Sequence, residues 1–299
     1  MKQKIRLLLL SFFLLSSQAG FAQDDLLSML DEEDSTSVDY AKASFKTTRV
    51  INSHSLENVA EGVLDFKILH RFGFLNGGPY EFFGLDQATM RIGLEYGITD
   101  RLMVGVGRST VEKALDGFVK YKILRQSSGA KNMPVTLAYA TGLSANMLKW
   151  ADPNRENFTS SRFAFYHQVI LGRKFSEAFS MQLMPTLVHR NLVRTIGEKN
   201  DVFALGVAGR QKLTRRMAIN TEYFYVLPNQ IHPDFSNSLS IGFDIETGGH
   251  VFQLHFTNST PLNEKGVITE TRGKWSKGDI HFGFNISRVF TIRDRRNKS

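Results

Sequence analysis

The sequence contains no cysteine in its 299 residues. No disulfide framework can hold it, and neither a thiolate metal site nor a cysteine nucleophile is available to it. Proline is scarce at 7 residues, so long stretches of backbone can pair without losing a donor. Beyond residue 22 no apolar run reaches the ~20 residues that a membrane-spanning helix needs. Charge of one sign is not concentrated either. The net charge is +8, but Lys and Arg are spread through alternating segments, which is no nucleic-acid footprint. A glycine-rich phosphate loop between a strand and a helix is missing, as is any zinc-type His/Cys spacing.

The first residues carry a different message. Lys2, Lys4 and Arg6 precede the apolar stretch from Leu7 to Leu15, and Gly20-Phe21-Ala22 supplies small residues before Gln23. This is the pattern of a secretory signal peptide over residues 1–22, too short for a spanning anchor. No cysteine follows it, which excludes a lipid-anchored lipoprotein. Loss of its three basic residues lowers the net charge from +8 to +5. Residues 23–60 then form an acidic leader. Asp24 to Asp34 holds Leu26, Leu27 and Leu30 on one helical edge, a candidate docking segment for a periplasmic partner, although a solvated leader is the blander expectation.

From residue 61 to 292 the pattern is period-two alternation. A short turn recurs three times: Ile98-Thr99-Asp100-Arg101-Leu102, Phe175-Ser176-Glu177-Ala178-Phe179 and Leu213-Thr214-Arg215-Arg216-Met217. Each lies between alternating segments, the signature of a β-hairpin, and each has a hydroxyl where it can bond the turn's own backbone. Twelve strands are predicted, at about 62–72, 86–97, 102–110, 115–124, 134–143, 161–173, 179–189, 201–213, 217–227, 237–246, 250–258 and 278–291. Glu246-Thr247-Gly248-Gly249 marks a further tight turn. Tight turns alternate with mostly long loops, and the strand count is even. That is the arrangement of an antiparallel up-and-down transmembrane β-barrel with a short N-terminal periplasmic segment. The apolar faces, such as Phe163, Phe165, Val169 and Leu171, are rich enough to meet lipid, and only a closed barrel lets a sheet span lipid without unpaired backbone groups. A secreted soluble barrel or sandwich is the competing architecture. His167 shares the lipid-facing parity of Phe165 and Val169, and a bulge or an interfacial position is expected to account for it.

Five stretches together resemble an uncharacterised outer-membrane β-barrel family, a domain of unknown function in Gram-negative bacteria. They are Thr48-Arg49-Val50-Ile51-Asn52, His70-Arg71-Phe72-Gly73, Tyr96 to Leu102, Asp116 to Lys122 and Ile245 to Leu254. The resemblance runs from about residue 45 to residue 292. It implies a barrel in the outer membrane, with no assigned chemistry to carry over.

If the apolar faces meet lipid, the opposite faces line the lumen. By parity that lining includes Asp65, Glu95, Glu222, Asp244 and Glu246, and Lys67, Arg71, Arg91, Lys120, Lys122, Arg162 and Arg210. These charges either select solutes in a pore or form a paired network filling a narrow interior. His255 and His281 are expected to point inward on adjacent strands, a candidate pair for a shared metal or a common titration, but with no third ligand in view. No His-x-Ser occurs on one strand face, which leaves a barrel hydrolase as the weakest of three functional classes. The leading expectation is a porin-like narrow passive channel for small polar solutes, without a cofactor or a catalytic residue. The alternative is a closed structural or docking barrel. Expected partners are outer-membrane lipid, the barrel-assembly machinery and a periplasmic protein at Asp24–Asp34, with no nucleic acid. Residues 293–299 form a basic tail.

Overall fold

A computed structural model of the chain describes residues 37–247 and 250–293. The expected signal peptide, the acidic segment Asp24–Asp34, the Gly248-Gly249 pair and residues 294–299 lie outside them. The chain divides into two compact units. In the smaller, β1 (Val38–Tyr40) pairs antiparallel with β6 (Ser127–Gly129), Val38 opposite Gly129.

The larger unit is a closed barrel. Its strands are β2 (Val63–Phe74), β3 (Ala88–Gly97), β4 (Leu102–Ser109), β5 (Leu115–Leu124), β7 (Thr136–Ala145) and β8 (Phe163–Lys174), then β9 (Phe179–Arg190), β10 (Asp201–Lys212), β11 (Met217–Val226), β12 (Leu239–Thr247), β13 (His250–Thr257) and β14 (His281–Thr291). Each pairs antiparallel with its barrel neighbours in the sequence, and β14 closes on β2. Closure leaves no unpaired edge, the condition a sheet must meet in lipid.

The side-chain pattern of this wall is inverted relative to a soluble sheet. Along β8 the outward Phe165, Val169 and Leu171 are 37%, 40% and 39% exposed, while the inward Tyr166, Gln168 and Ile170 are 4%, 0% and 0% exposed. Ile92, Leu94, Val106, Val119, Phe203, Leu205, Phe252 and Leu254 extend this apolar exterior around the barrel. A continuous apolar exterior around a closed sheet, with the buried charges turned inward, is the lipid-facing arrangement. Among the described residues no helix is long and apolar enough to cross a membrane.

The three repeated turns share one chemistry. Thr99 Oγ1 accepts from the backbone N–H of Arg101 at 3.2 Å and Leu102 at 3.0 Å. Ser176 Oγ does the same for Ala178 and Phe179, at 3.2 and 3.0 Å. Thr214 Oγ1 does so for Arg216 and Met217, at 3.2 and 3.1 Å. The hydroxyl thus satisfies donors that the reversal of the chain leaves without ladder partners. The entry to β2 lies at this same end. Gly62 has φ +76°, and its carbonyl accepts from Ile292 at 2.9 Å and Arg293 at 3.0 Å, at the end of β14. A Cβ on Gly62 would stand 2.4 Å from the Arg293 carbonyl oxygen, so both the backbone angle and the space call for glycine.

Two corrections concern single residues. Of the two accounts expected for His167 the bulge is ruled out, because β8 pairs with β7 in unbroken register and the ring faces outward. Its Nδ1 is 2.7 Å from the Tyr139 hydroxyl and 3.0 Å from Thr141 Oγ1, so that nitrogen has partners on the outward face. Arg162, expected within a strand, ends a 3-10 turn (Thr159–Arg162) just ahead of β8.

Candidate functional site

The inward faces carry the charges that parity assigns to them, and most are buried. Asp65, Lys67, Arg71, Arg91, Glu95, Lys120, Arg210, Glu222 and Asp244 are each less than a tenth exposed. Lys122 and Glu246 are half-buried near the tight-turn end, and Arg162 sits at the opposite mouth. What surrounds them is not open water. Residues 44–59, the later part of the expected leader, lie inside the barrel.

The inserted segment is a small hairpin. Arg49 bridges His54, the Ser55 N–H donates to the Thr48 carbonyl at 2.9 Å, and the Val50 N–H donates to the Ser53 carbonyl at 2.9 Å. Its tip is seated on Glu222 of β11. That carboxylate accepts the N–H groups of Ile51, Asn52 and Ser53 at 3.3, 3.0 and 3.0 Å, and the Ser53 hydroxyl at 2.7 Å. Elsewhere the wall supplies donors to hairpin carbonyls. Lys120 of β5 donates to Thr48, Ser55 and Glu57, Gln182 of β9 to His54, Gln253 of β13 to Val50, and Asn285 of β14 to Ile51. Arg71 of β2 donates to the Asn52 side chain, and Asn52 donates to Ser240 of β12 at 2.8 Å. Bonds to β2, β5, β9, β11, β12, β13 and β14 go all the way round, and only a segment on the barrel axis can make them.

The second filler comes from the other end. The chain between β13 and β14 turns inward and forms the short helix α1 (Glu264–Thr269), whose Asn263 cap accepts from the Gly266 N–H at 2.9 Å. Arg49 joins the two insertions. Its guanidinium bonds Glu264 of α1 and lies 3.4 Å from Glu95 of β3, and the Thr48 hydroxyl donates to Glu95 as well. His54 completes the cluster, its Nε2 lying 2.8 Å from the Tyr166 hydroxyl and 3.0 Å from Glu264. Burial, reinforced by the Arg49 charge, pushes the His54 imidazole down to about 4, although Glu264 pulls the other way. Burial alone would raise the Glu264 carboxyl, but Arg49 and then His54 outweigh it and hold it well below the carboxylate range.

Much of the remaining lumen is apolar. Phe45, Val50, Leu56 and Val59 of the hairpin and Val267 and Ile268 of α1 join one buried cluster with Met103, Phe118, Tyr166, Ile170, Met184, Val188 and Phe224 of the wall. Parity alone did not reveal this core. Its trace in the sequence is that β8 to β11 are apolar on both faces, through Tyr166, Ile170, Met184, Val188, Val202 and Phe224. A strand apolar on both faces is buried on both.

The remaining charges pair locally. Lys67 is 2.9 Å from Asp65 and 4.0 Å from Glu95, and Lys46 of the inserted segment is 2.5 Å from Glu246. Arg91 forms a two-pronged pair with Asp116, and the nearby Gly93 and Gly107 leave room for its guanidinium. Asp244 accepts from Gln253 at 2.7 Å. His255 and His281 are both buried. His281 is occupied by the Phe72 carbonyl and the Thr260 hydroxyl, each 2.8 Å away. Neither ring nitrogen of His255 has a partner among the described residues. Among those residues no group of three or more His, Asp and Glu side chains is placed to hold a metal ion.

A sealed sheet with an apolar exterior and an internal plug is a membrane barrel by its own geometry. A family described as a membrane-bound β-barrel domain of unknown function, DUF5777, matches residues 45–290. The chain belongs to this family. The match begins at Phe45, so the DUF5777 domain takes in the inserted hairpin together with the wall. No curated protein sequence matches the chain. Among solved structures it is similar to the NanC porin, at 9% identity and a TM-score of 0.47 over 76% of this chain and 98% of that one. It is similar also to the KdgM porin, at 8% identity and a TM-score of 0.46 over 76% and 99%. An outer-membrane channel from Pseudomonas putida F1 matches at 13% identity and a TM-score of 0.46, over 80% and 100%.

Proposed function

We propose that this DUF5777 protein is an outer-membrane barrel closed at rest by its own N-terminal hairpin, and that it admits small polar solutes when the hairpin withdraws. The observation carrying this reading is the seat of residues 44–59 on Glu222, Lys120 and the Arg49–Glu264 pair. A lumen that conducts continuously would not commit its inward charges to the backbone of an inserted segment. The hairpin continues into β2 at the tight-turn end, where short turns and chain termini of such barrels face the periplasm. A periplasmic partner gripping the acidic segment at Asp24–Asp34, which precedes the hairpin in the sequence, is the proposed means of unseating it. The tight-turn end also has room beside the segment, a cavity of about 450 Å³ lined in part by Lys46, Glu57, Asp65 and Glu246.

The absence of native cysteine makes a clean test available. Asn52→Cys with Ser240→Cys places two thiols across a contact between hairpin tip and wall. A short bifunctional thiol reagent should abolish solute flux in cells or liposomes whenever flux is otherwise detectable, and each single-cysteine control should be unaffected. Undiminished flux with complete crosslinking would show that hairpin movement is not required. A barrel that never conducts, with or without the crosslink, favours the structural or docking role.

A further inference from the structure

The long-loop mouth of the barrel holds a cavity of about 540 Å³. That is room for a small organic solute. Its lining is strongly biased in charge. Arg155, Arg162, Arg190, Arg194 and Lys265 face two carboxylates, Glu112 and Glu270. Lys265 lies 3.0 and 2.8 Å from these two carboxylates, and with the four arginines the lining carries a cationic excess of three. Glu198 behind Arg190 reduces the cationic excess from three to two but does not remove it.

The arginines are held in place. Arg190, at the end of β9, is 3% exposed. Its guanidinium donates to Glu198 at 2.9 Å and to the Lys199 carbonyl at 2.7 Å, while its Nε is buried without a partner among the described residues. Arg162 lies against the Trp150 ring, 3.8 Å from its centroid, and donates to the Asn146 and Leu148 carbonyls at 2.7 and 2.6 Å. Pre-set guanidinium planes are suited to the two-pronged recognition of carboxylate and phosphate groups. Arg194 reaches Glu270 only at 3.7 Å and is half exposed, so it remains available to a ligand.

We infer that this mouth is a binding site for a small anionic solute bearing carboxylate or phosphate groups. Arg190 and Arg162 form its fixed floor and side, and Arg155 and Arg194 form its adjustable rim. The site does not depend on hairpin movement, because its lining comes from the wall, the outer loops and α1. Closing the lumen and concentrating anions at its outer entrance are separable properties.

The test uses the full chain in neutral detergent. Calorimetric titrations with citrate, inorganic phosphate and glucose read affinity, and fluorescence of Trp150 in a Trp275→Phe background reads location. Citrate should bind saturably, more tightly than phosphate, and perturb Trp150, while glucose should not bind. Arg155→Ala with Arg194→Ala alters only the rim, and should weaken citrate at least tenfold while the heat-modifiable gel mobility stays normal. A phosphate-headgroup lipid in the micelles separates the two sources of anion. If soluble anions fail to bind and only the lipid perturbs Trp150, the solute site is wrong. The inference also fails if wild type binds no anion saturably, or if the rim variant binds citrate unchanged.

Discussion

Glu222 carries an unusual burden for a buried carboxylate. Its bonded partners are three consecutive backbone amides and a hydroxyl, all from the hairpin tip. Glu222→Gln keeps the shape but turns one acceptor into a donor facing donors, a mismatch that costs ~1–3 kcal/mol when buried. The expected result is faster cleavage within residues 44–59 by added protease, with the wall intact on gels. Unchanged protection would mean that the apolar contacts of Phe45, Leu56 and Val59 hold the hairpin without it. His54 gives the plug a pH dependence. Its imidazole is lowered in the folded state, so the neutral form is the one the plug accommodates. The stability this represents is complete above the ordinary value near 6.5 and declines as pH falls towards about 4. Hairpin protection should therefore be flat from about pH 8 to 7 and weaken between about 6.5 and 4. Arg49, Glu264, Tyr166 and Lys120 surround the ring and remain in place in His54→Gln, whose profile should be flatter over that window. Equal slopes for both proteins would assign the acid response to other groups.

The tight turns are the elements in which sequence and structure correspond most directly. Thr214→Ala removes two backbone-directed bonds and should lower unfolding stability in detergent by ~0.5–1.5 kcal/mol, with no change in strand register. Thr99→Ala should behave alike, and a loss several times larger at either would point to a role beyond the turn. The strands were legible for the same local reason. A wall one strand thick sorts its residues by parity, and lipid on one side makes the apolar set conspicuous, as in Phe165, Val169 and Leu171. Boundaries differ by up to three residues, the most at the start of β14, because strand ends merge with loops. The hairpin and α1 were not legible. Residues 44–59 have no period, and their partners are remote: Arg49 and Glu264 are 215 positions apart. Inward charges such as Glu95, Lys120 and Glu222 could be placed by parity, but what they bind could not, since irregular segments follow no repeat that would announce their position.

At the scale of the whole molecule, the wall and its filling are held by different forces, and they should be separable. The wall's backbone bonds close on themselves from β2 to β14, independent of anything on the axis. Removing residues 24–44 takes away nothing that Glu222, Lys120 or Glu264 bonds; the N–H of Ser44 on Glu57 is the contact it loses within the hairpin. That variant should assemble and stay as non-conducting in planar bilayers as the parent. Removing residues 44–59 instead strips Glu222, Lys120 and Glu95 of their main partners and uncovers Met103, Phe118 and Met184. Water would enter to solvate the charges, since leaving them dry and unpaired is far more costly. The wall should still form, at lower thermal stability, and the lumen should now conduct. Its ion selectivity should be weak. The buried inward charges of the strands, Lys67, Arg71, Arg91, Lys120, Arg190 and Arg210 against Asp65, Glu95, Asp116, Glu222 and Asp244, come within one unit of balance. A reversal potential near zero in a steep salt gradient is therefore expected of the shortened barrel. Strong selectivity would show that α1, with Glu264 freed from Arg49, still governs the path. Failure of the shortened chain to assemble, beside normal assembly of the 24–44 deletion, would make the hairpin part of the folding core rather than a removable plug.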